Sequence, residues 1–240
     1  MTPLTLHLQH DVHTRAEPTE RAMQIAAMFG LSLDGTHAHT IIPPIELTLA
    51  PGQVVFVTGS SGGGKSTLLR LIRGAIHHGH AEQPPALICA NHLPDLPNQA
   101  LVDALAVPEV STHAAPPPAK LEQVCRWLSL AGLNDAAVML RQPEQLSEGQ
   151  RHRLKLAQAM AIAERRPEPW AVLLIDEFGS TLDRTTAFAL ARSVRRWAAK
   201  SNICLVCATT HDDLLEPLCP DVLVEIAPGG RCEVYQRFFS

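Results

Sequence analysis

The chain has 240 residues, 46% of them hydrophobic and 4% aromatic, and a formal net charge of −4 at pH 7. This length and apolar content allow one large domain with a substantial core, and they exclude a chain that is disordered throughout. The slight negative charge and the scarcity of aromatic rings give no indication of nucleic-acid binding, which relies on basic surfaces and stacking rings.

Membrane insertion and secretion are not indicated either. No apolar run approaches the roughly 20 residues that a membrane-spanning helix requires. Residues 1–11 lack the basic and then apolar order of a signal peptide. We therefore expect a soluble, cytoplasmic protein without an integral membrane segment.

The N-terminal part alternates between regular and irregular patterns. Alternating leucines over residues 4–8 predict a short edge strand, and residues 19–29 predict a helix that is capped by its first residue and ends at Gly30. Residues 34–44 are predicted to be a loop, whose two histidines we expect to be solvated rather than bound to a metal. Alternation over residues 45–49 predicts a second strand.

A glycine-rich loop lies between a predicted strand over residues 53–58 and a predicted helix over 68–73, which Gly74 is expected to end. The loop matches the pattern G-x-x-x-x-G-K-[ST] and consists of Gly59, Ser60, Ser61, Gly62, Gly63, Gly64, Lys65 and Ser66, followed by Thr67. Such a loop points backbone N–H groups and the positive end of a helix dipole at one place, where a phosphate chain can bind. Lys65 can reach the β- and γ-phosphates, and the Ser66 hydroxyl can ligate Mg²⁺.

The middle of the chain is less regular. Residues 75–85 are predicted to form a loop with three histidines, for which a surface position is favoured over a metal site. A short strand is predicted over 86–90. Residues 91–145 differ in character, because prolines punctuate their first part and one amphipathic helix is predicted over 120–131.

From residue 146 the pattern becomes regular again. The predicted elements are helices over 147–163 and 185–200 and strands over 170–175, 203–208 and 222–226. Strands that alternate with helices indicate an α/β fold with a mostly parallel sheet covered on both faces. We interpret 45–90 together with 146–240 as the core, 91–145 as an inserted helical subdomain, and 1–44 as an N-terminal strand and helix extension.

Two of the six cysteines, Cys204 and Cys207, form a C-x-x-C pattern within the apolar strand predicted over 203–208. Residues three apart on a strand point to opposite faces. We therefore expect buried structural thiols rather than a metal site or a redox pair.

Two carboxylates, Asp176 and Glu177, end the apolar strand over 170–175. Ligands of a parallel sheet gather beyond the carboxyl ends of its strands, so Asp176 can meet the Mg²⁺ held by Ser66. Glu177, one residue further, can orient or deprotonate an attacking water. His211 closes the next predicted strand and is expected near the γ-phosphate, where it can hydrogen-bond to phosphate or water.

The stretch Leu146–Gln150 opens the helix predicted over 147–163, and Ser147 and Gln150 have the spacing of a capping box. A capping box alone explains the stretch structurally. Gly149, however, weakens the first helical turn, and we interpret it as a position where a phosphate approaches the backbone.

Taken together, these motifs resemble those of the ABC-type ATPases in order and in spacing. Gly59–Thr67, Leu146–Gln150, Ile175–Glu177, Ser180–Asp183 and His211 are similar to that family's Walker A, signature, Walker B with catalytic glutamate, D-loop and switch histidine. The resemblance covers about residues 45–227. It implies a P-loop NTPase fold with an inserted helical subdomain and Mg²⁺-dependent hydrolysis of ATP.

The same resemblance implies a head-to-tail homodimer that buries two ATP molecules between its subunits. The trans contacts to ATP on the partner's phosphate loop would come from Ser147, Glu148, Gly149 and Gln150, and Asp183 would take the D-loop position. ATP would hold the dimer together and hydrolysis would loosen it.

Two departures from the family pattern are visible. Asn91 stands where the family usually has a glutamine, and it could offer an amide oxygen to Mg²⁺ on a shorter arm. No tyrosine or tryptophan precedes Gly59, so the sequence does not identify a residue that stacks on adenine.

The favoured function is a soluble mechanochemical switch with an unidentified protein partner. Residues 176–183 and 209–214 also resemble a soluble ABC-type subgroup, found alone or fused to acetyltransferase-like domains, but this resemblance does not by itself give a cellular role. The first alternative is the ATP-binding subunit of a membrane transporter, which has the same core motifs. It is placed second because the altered glutamine position and the proline-rich segment 91–118 lie where a membrane subunit would have to dock. The second is a nucleic-acid-associated ABC ATPase, although the chain has no long coiled coil and no second cassette. A nucleotide-gated module without turnover is disfavoured by Glu177 and His211.

Overall fold

The computed structural model describes residues 2–14, 19–30, 37–79, 83–106, 117–227 and 231–236. Its first two strands, β1 (Leu4–Thr14) and β2 (His37–Leu49), form an antiparallel ribbon. Helix α1 (Glu20–Phe29) lies between them in the chain, begins after the capping side chain of Thr19 and ends at Gly30, as predicted.

The prediction of a loop over residues 34–44 is wrong for residues 37–44, which belong to β2, while residues 34–36 lie outside the described part of the chain. Prolines cannot donate to a strand ladder, and Pro43 and Pro44 therefore favour a loop in the sequence. In the ribbon Leu8 pairs with Ile45 and His10 pairs with Ile42, so the ladder passes the two prolines at an irregularity.

The phosphate loop connects β3 (Val54–Gly59) to α2 (Lys65–His78), and β4 (Ala86–Cys89) follows. The prediction that Gly74 ends the helix is wrong, because α2 continues for another turn to Gly79. A glycine inside a helix costs about 1 kcal/mol, and the buried side chain of Ile76 continues the apolar face beyond it. Two of the three histidines predicted in a loop are therefore in the last turn of α2, and His80 lies outside the described residues.

The next four helices are α3 (Leu101–Ala104), α4 (Leu121–Leu130), α5 (Ala136–Met139) and α6 (Glu148–Arg165). They are followed by β5 (Ala171–Ile175), α7 (Arg184–Lys200), β6 (Ile203–Ala208), α8 (Leu215–Leu218), β7 (Val222–Ala227) and β8 (Arg231–Gln236). Most bounds agree with the predicted elements within one or two residues. Strand β8 and the short helices α3, α5 and α8 were not predicted.

The main sheet has the strand order β4-β5-β6-β3-β7-β8 among the described residues. All neighbouring strands are parallel except β7 and β8, which are antiparallel. The α/β fold class with a mostly parallel sheet flanked by helices is therefore confirmed. Strand β3 lies in the interior of the sheet, so the phosphate loop leaves from the middle of its carboxyl edge.

Two buried clusters cover the two faces of this sheet. One contains Trp127 of α4, Met160 of α6 and Val194 of α7, and the other contains Ile72 of α2 and Leu47 of the ribbon. The described helices α3, α4 and α5 share the first cluster with the sheet. The division into a core, an inserted subdomain and an N-terminal extension remains a proposal, and β2 runs without a break across residues 44 and 45.

The predicted placement of the cysteine pair is confirmed. Cys204 belongs to the cluster on one face of the sheet and Cys207 to the cluster on the other, and both are fully buried. Burial raises the pKa of both thiols, as expected for structural cysteines. No helix in the described ranges combines the length and the apolar character needed to span a membrane.

Candidate functional site

A cavity of about 510 Å³ lies at the carboxyl edge of the sheet. Ser61, Gly62, Gly64, Lys65, Ser66 and Thr67 of the phosphate loop line it. The predicted carboxylates Asp176 and Glu177 line the same cavity, together with Thr209 and Thr210 at the end of β6. The fold therefore brings together side chains that are more than 100 residues apart in the sequence.

Two glycines allow the phosphate loop to fit between its neighbours. Gly59 has a φ of 143°, and a Cβ atom there would lie 2.1 Å from the carbonyl oxygen of Ile226. Gly64 has a φ of 106°, and a Cβ atom there would lie 2.9 Å from Cγ2 of Ile41. Side chains at these positions would push the loop away from β7 or from the ribbon, so the loop geometry requires glycine.

The ammonium group of Lys65 lies against its own loop. Its Nζ donates to the carbonyl oxygens of Gly59 at 2.8 Å and Ser60 at 2.7 Å. Burial lowers the pKa of Lys65, while the carboxylates of Asp176, Asp212 and Glu177 act in the opposite direction. The positive charge is thus surrounded by acceptors at the place where a phosphate chain would bind.

The side-chain amide of Asn91 is paired with the backbone of Asp176. Oδ1 of Asn91 accepts a hydrogen bond from the Asp176 N–H at 2.9 Å, and Nδ2 donates to the Asp176 carbonyl oxygen at 3.2 Å. Both ends of the amide are therefore engaged with the chain. This geometry positions the Asp176 backbone and differs from the metal-ligand role that the sequence suggested for Asn91.

Glu177 has a backbone conformation that is unusual for a residue with a side chain. Its φ is 55°, in the left-handed region, and its N–H donates to Oδ1 of Asp176 at 3.0 Å. The next residue, Phe178, is buried, and its N–H donates to the carbonyl oxygen of Ala208. The backbone on both sides of Glu177 is therefore fixed, while its side chain is exposed at the cavity.

His211 follows the cavity-lining Thr209 and Thr210 directly, and its N–H donates to Oγ1 of Thr209 at 3.2 Å. The two aspartates after it anchor this turn. Asp212 accepts a hydrogen bond from the Thr58 hydroxyl, and Asp213 accepts one from Nε of Arg184 at 2.8 Å. His211 is thus held beside the cavity by bonds to β3 and α7.

The predicted capping box at the start of α6 is present. The Ser147 hydroxyl accepts from the Gln150 N–H at 3.3 Å, and Oε1 of Gln150 accepts from the Ser147 N–H at 3.0 Å. A Cβ atom on Gly149 would lie 3.3 Å from the carbonyl oxygen of Thr181. Close packing against Thr181 is therefore a structural reason for a glycine at position 149, and it was not visible in the sequence.

The other residues predicted for the site lie at the starts of α6 and α7 rather than in the cavity. Ser147, Glu148, Gly149 and Gln150 are absent from the described residues that line the cavity, and so is Asp183. Oδ1 of Asp183 accepts from the Thr186 N–H at 3.0 Å and caps α7. Hydrogen bonding to the side chain of Thr186, and then to its backbone, lowers the pKa of Asp183. The structure thus separates the signature stretch and Asp183 from the phosphate loop of the same chain.

Several cavity residues were missed by sequence reasoning, among them Arg70 of α2 and three residues of the N-terminal ribbon. His10 and Val12 of β1 and Ile41 of β2 line the cavity from the N-terminal ribbon. The predicted strands at 4–8 and 45–49 were too short to reach them. β1 and β2 pair beyond residues 4–8. A prediction of this longer pairing would have placed the three ribbon residues beside the phosphate loop.

Oxygen ligands for a divalent cation are present in the cavity. The Ser66 hydroxyl and the Asp176 carboxylate both line it, and this donor chemistry suits Mg²⁺. No group of three or more histidine, cysteine, aspartate or glutamate side chains within the described ranges is placed to hold a metal ion. A cation at this site would therefore depend on phosphate oxygens and water for its other ligands.

Comparison with known proteins gives a consistent result. A family model described as "ABC transporter" matches residues 42–178. The chain is 30% identical over 189 residues to PhnT of Salmonella typhimurium, provisionally named a 2-aminoethylphosphonate import ATP-binding protein, with 73% of this chain and 49% of PhnT covered. It is 28% identical over 223 residues to the methionine import ATP-binding protein MetN of Sodalis glossinidius, with 83% of this chain and 61% of MetN covered. The chain spans about half the length of PhnT.

Solved structures share the fold at lower identity. The dimeric, post-hydrolysis structure of the ATP-binding cassette MJ0796 bound to ADP and Pi has a TM-score of 0.61 and 18% identity, and covers 85% of this chain and 94% of that chain. A nucleotide-free ATP-binding cassette from an ABC transporter has a TM-score of 0.58 and 16% identity, with coverages of 82% and 86%. At these identities the likeness supports a common fold.

Proposed function

This chain belongs to the ABC transporter family, whose model matches residues 42–178, and from that premise we propose that it binds and hydrolyses ATP. The observation that carries the proposal is one cavity that combines the phosphate loop with Asp176 and Glu177. A phosphate cradle accounts for nucleotide binding, and carboxylates at the same place supply the groups that hydrolysis requires.

The phosphate chain binds along the loop and at the start of α2. Backbone N–H groups and the helix dipole attract the anion there. The Lys65 ammonium, which donates to the carbonyls of Gly59 and Ser60, transfers these bonds to phosphate oxygens. Charged acceptors form stronger hydrogen bonds than neutral carbonyls, so this exchange favours the bound nucleotide.

Ser66 and Asp176 are the residues that would hold Mg²⁺. When bound, the ion neutralises negative charge on the phosphates during transfer. Asn91 pairs with the backbone of Asp176 through both ends of its amide, and we assign it the task of positioning that carboxylate.

Glu177 acts on the attacking water. The water oxygen bonds to the γ-phosphorus, the bond from that phosphorus to the bridging oxygen of ADP breaks, and the Glu177 carboxylate accepts the water proton. ADP and orthophosphate are the products. His211, held beside the cavity, contacts the γ-phosphate or the water as these charges move.

The nucleotide base would lie against the ribbon. His10, Val12 and Ile41 offer one imidazole and two aliphatic side chains to the cavity, beside the phosphate loop. These surfaces suit the flat face of a base, which stacks or packs without requiring a tyrosine or tryptophan.

A second copy of the chain completes the site. Ser147, Glu148, Gly149 and Gln150 at the start of α6, and Asp183 before α7, lie outside the cavity of their own chain. The start of an 18-residue helix attracts anions, so α6 of one subunit can contact ATP on the phosphate loop of the other. Both nucleotides would then be buried in a head-to-tail homodimer.

The relatives favour a role in membrane transport over a stand-alone switch. PhnT and MetN are both named as import ATP-binding proteins. We therefore propose that this chain works at the cytoplasmic face of a membrane, where its ATP cycle drives a separate membrane protein. The alternative is the soluble switch that the sequence favoured. Isolation of the chain from membranes, with its ATPase rate, distinguishes the two.

ATP hydrolysis is tested with Glu177→Gln, compared with Glu122→Gln on the exposed surface of α4. Removing the proton acceptor should lower kcat by about 100-fold or more, since general bases contribute at least that much. ATP binding, measured by titration calorimetry, should remain. Hydrolysis at the parent rate by Glu177→Gln would contradict the role of Glu177.

The transport role is tested by isolating the chain from membranes of its native host. One membrane protein should co-purify with it in fixed proportion, and the ATPase rate should depend on that protein. Full ATPase activity of the isolated chain without any membrane partner would instead support the soluble switch.

A further inference from the structure

A second cavity, of about 200 Å³, lies beside the nucleotide cavity between α2 and the ends of β4 and β5. Ser66, Arg70, Asp176 and Glu177 line both cavities. These shared residues include the proposed Mg²⁺ ligands and the proposed base. The two spaces therefore meet where the γ-phosphate would be cleaved.

The second cavity shares some of its charged residues with the nucleotide cavity and has others of its own. Asp176, Glu177 and Arg70 line both cavities and are therefore at the junction, whereas Arg73 and His92 line only the second cavity. Arg70 donates to Oγ1 of Thr67 at 2.9 Å, whereas Arg73 forms no hydrogen bond or ion pair with any described residue. An anion released at the junction is repelled by the two carboxylates there, and the guanidinium group of Arg73, which lines only the second cavity, attracts it away from them.

The size of the cavity suits a small oxyanion. Its volume of about 200 Å³ is below the roughly 300–1,000 Å³ of pockets that hold drug-sized ligands. A tetrahedral phosphate and a few waters therefore fit, but a nucleotide does not. Guanidinium groups match phosphate oxygens in geometry as well as in charge.

We propose that this second cavity binds orthophosphate as it leaves the site while ADP still occupies the phosphate loop. The proposal rests on the ATP hydrolysis proposed above. Orthophosphate moves from the junction at Ser66, Glu177 and Arg70 to Arg73, and exits without passing the ADP. Arg73 is a phosphate-binding residue of this exit and has no part in holding the nucleotide.

Cys89 provides a direct reporter, because its half-buried thiol lines the second cavity. The protein is saturated with ADP, orthophosphate is titrated, and the alkylation rate of each cysteine by iodoacetamide is measured by peptide mass spectrometry. Orthophosphate should slow alkylation of Cys89. Cys219, which is exposed and lines neither of these cavities, serves as the internal control.

The variant Arg73→Gln identifies the binding group. Loss of one charge-assisted contact should weaken protection of Cys89 by orthophosphate about tenfold or more. Arg192→Gln, at an exposed arginine of α7, should leave protection unchanged. Neither variant should alter ADP affinity.

Two results would overturn the proposal: orthophosphate gives no protection to Cys89 in the ADP-bound protein, or Arg73→Gln is protected as well as the parent. Calorimetric titration with ADP is performed on the same samples. Absence of ADP binding would refute the proposed function itself, which separates that failure from failure of the exit.

Discussion

At the scale of single residues, Asn91 provides the clearest test of how the carboxylates are arranged. Its amide pairs with both the N–H and the carbonyl oxygen of Asp176. These two hydrogen bonds fix the backbone of Asp176, from which its carboxylate side chain extends. The amide oxygen has a second lone pair, so the Mg²⁺ dependence of the rate distinguishes a positioning role from a metal ligand.

We expect Asn91→Ala to lower kcat for ATP hydrolysis about tenfold, because small displacements of catalytic groups have effects of this size or larger. The Mg²⁺ concentration that gives half the maximal rate should stay the same. Both values come from steady-state rates at varied Mg²⁺, with Asn98→Ala as a control at an exposed asparagine. A raised Mg²⁺ requirement would show that Asn91 is a ligand instead.

His152 on α6 makes the stability of the fold depend on pH. Burial lowers the pKa of its imidazole below the ordinary value of 6.5, and the Glu177 carboxylate only partly opposes this. Below pH 6.5 the unfolded chain therefore binds a proton more readily than the folded chain. The free energy of unfolding falls as the pH decreases from that value toward the lower pKa of the folded state.

His152→Gln should remove this part of the pH dependence, because glutamine does not titrate. Urea unfolding of parent and variant at about pH 7.5 and about pH 5.5, on either side of the histidine range, measures it. The parent should lose more stability than the variant between the two conditions. His78→Gln, at an exposed position of α2, should behave like the parent. If the parent and His152→Gln lose the same free energy of unfolding between the two pH values, His152 is not the source of this pH dependence.

At the scale of elements, Glu164 joins three helices. Its carboxylate on α6 accepts from Nε1 of Trp127 on α4 at 2.8 Å and from Nε1 of Trp197 on α7 at 2.6 Å. Arg126 donates to the same carboxylate at 2.5 Å. The Glu164 side chain is only 17% exposed, so water cannot readily replace it as an acceptor.

Glu164→Ala should lower the free energy of unfolding by about 3 kcal/mol, because it leaves buried donors unpaired. Glu164→Gln should have a smaller effect, since one amide oxygen still accepts. Chemical denaturation monitored by tryptophan fluorescence measures both variants, and Glu168→Gln on the exposed surface is the control. Equal stability of Glu164→Ala and the control would contradict the three-helix role.

A second link connects α6 to the nucleotide site. Nζ of Lys155 donates to the carbonyl oxygens of Leu93 and Pro94 at 2.8 Å and to Asp95 at 2.9 Å. The bonded segment begins two residues after Asn91, which holds Asp176. A shift of α6 can therefore reach the carboxylates through a short, hydrogen-bonded stretch of chain.

Elements with a strong local pattern were predictable from the sequence. The buried strand β5 and the amphipathic helix α7 have such patterns, and the structure contains them close to the predicted bounds. The errors occur where tertiary contacts decide. Residues 37–44 become a strand by pairing with β1, and α2 continues past Gly74 because Ile76 is buried in the apolar cluster on one face of the sheet.

The site follows the same division. The glycine-rich loop carries its own signature, and Asp176 and Glu177 end an apolar strand, so sequence spacing was enough to group them. The pairing of Asn91 with the Asp176 backbone was not visible, because it depends on how two strand ends meet. The contact of Gly149 with Thr181 also joins distant parts of the chain.

At the scale of the whole molecule, the signature stretch and the phosphate loop of one chain are separate. The cavity lies at the carboxyl edge of the sheet, whereas the first turn of α6 presents Ser147 and Glu148 to solvent. A positive helix start that does not reach its own cavity can serve the cavity of another copy. In the proposed homodimer, association would therefore depend on the phosphates between the two subunits.

We therefore expect the Glu177→Gln variant to form dimers in solution when ATP and Mg²⁺ are present. A negative charge at position 147 should prevent this dimerisation. The double variant Glu177→Gln/Ser147→Asp keeps the cap of α6, since aspartate caps a helix as well as serine does. Its aspartate would place a negative charge next to the phosphates of the ATP bound to the partner subunit. Adding Ser147→Asn is the matched control, with the same shape and no charge. Light scattering after size-exclusion chromatography should show dimers for the asparagine combination and monomers for the aspartate combination. ATP binding to the phosphate loop should be equal in both. If the aspartate combination also dimerises with ATP, the start of α6 does not face the partner's nucleotide.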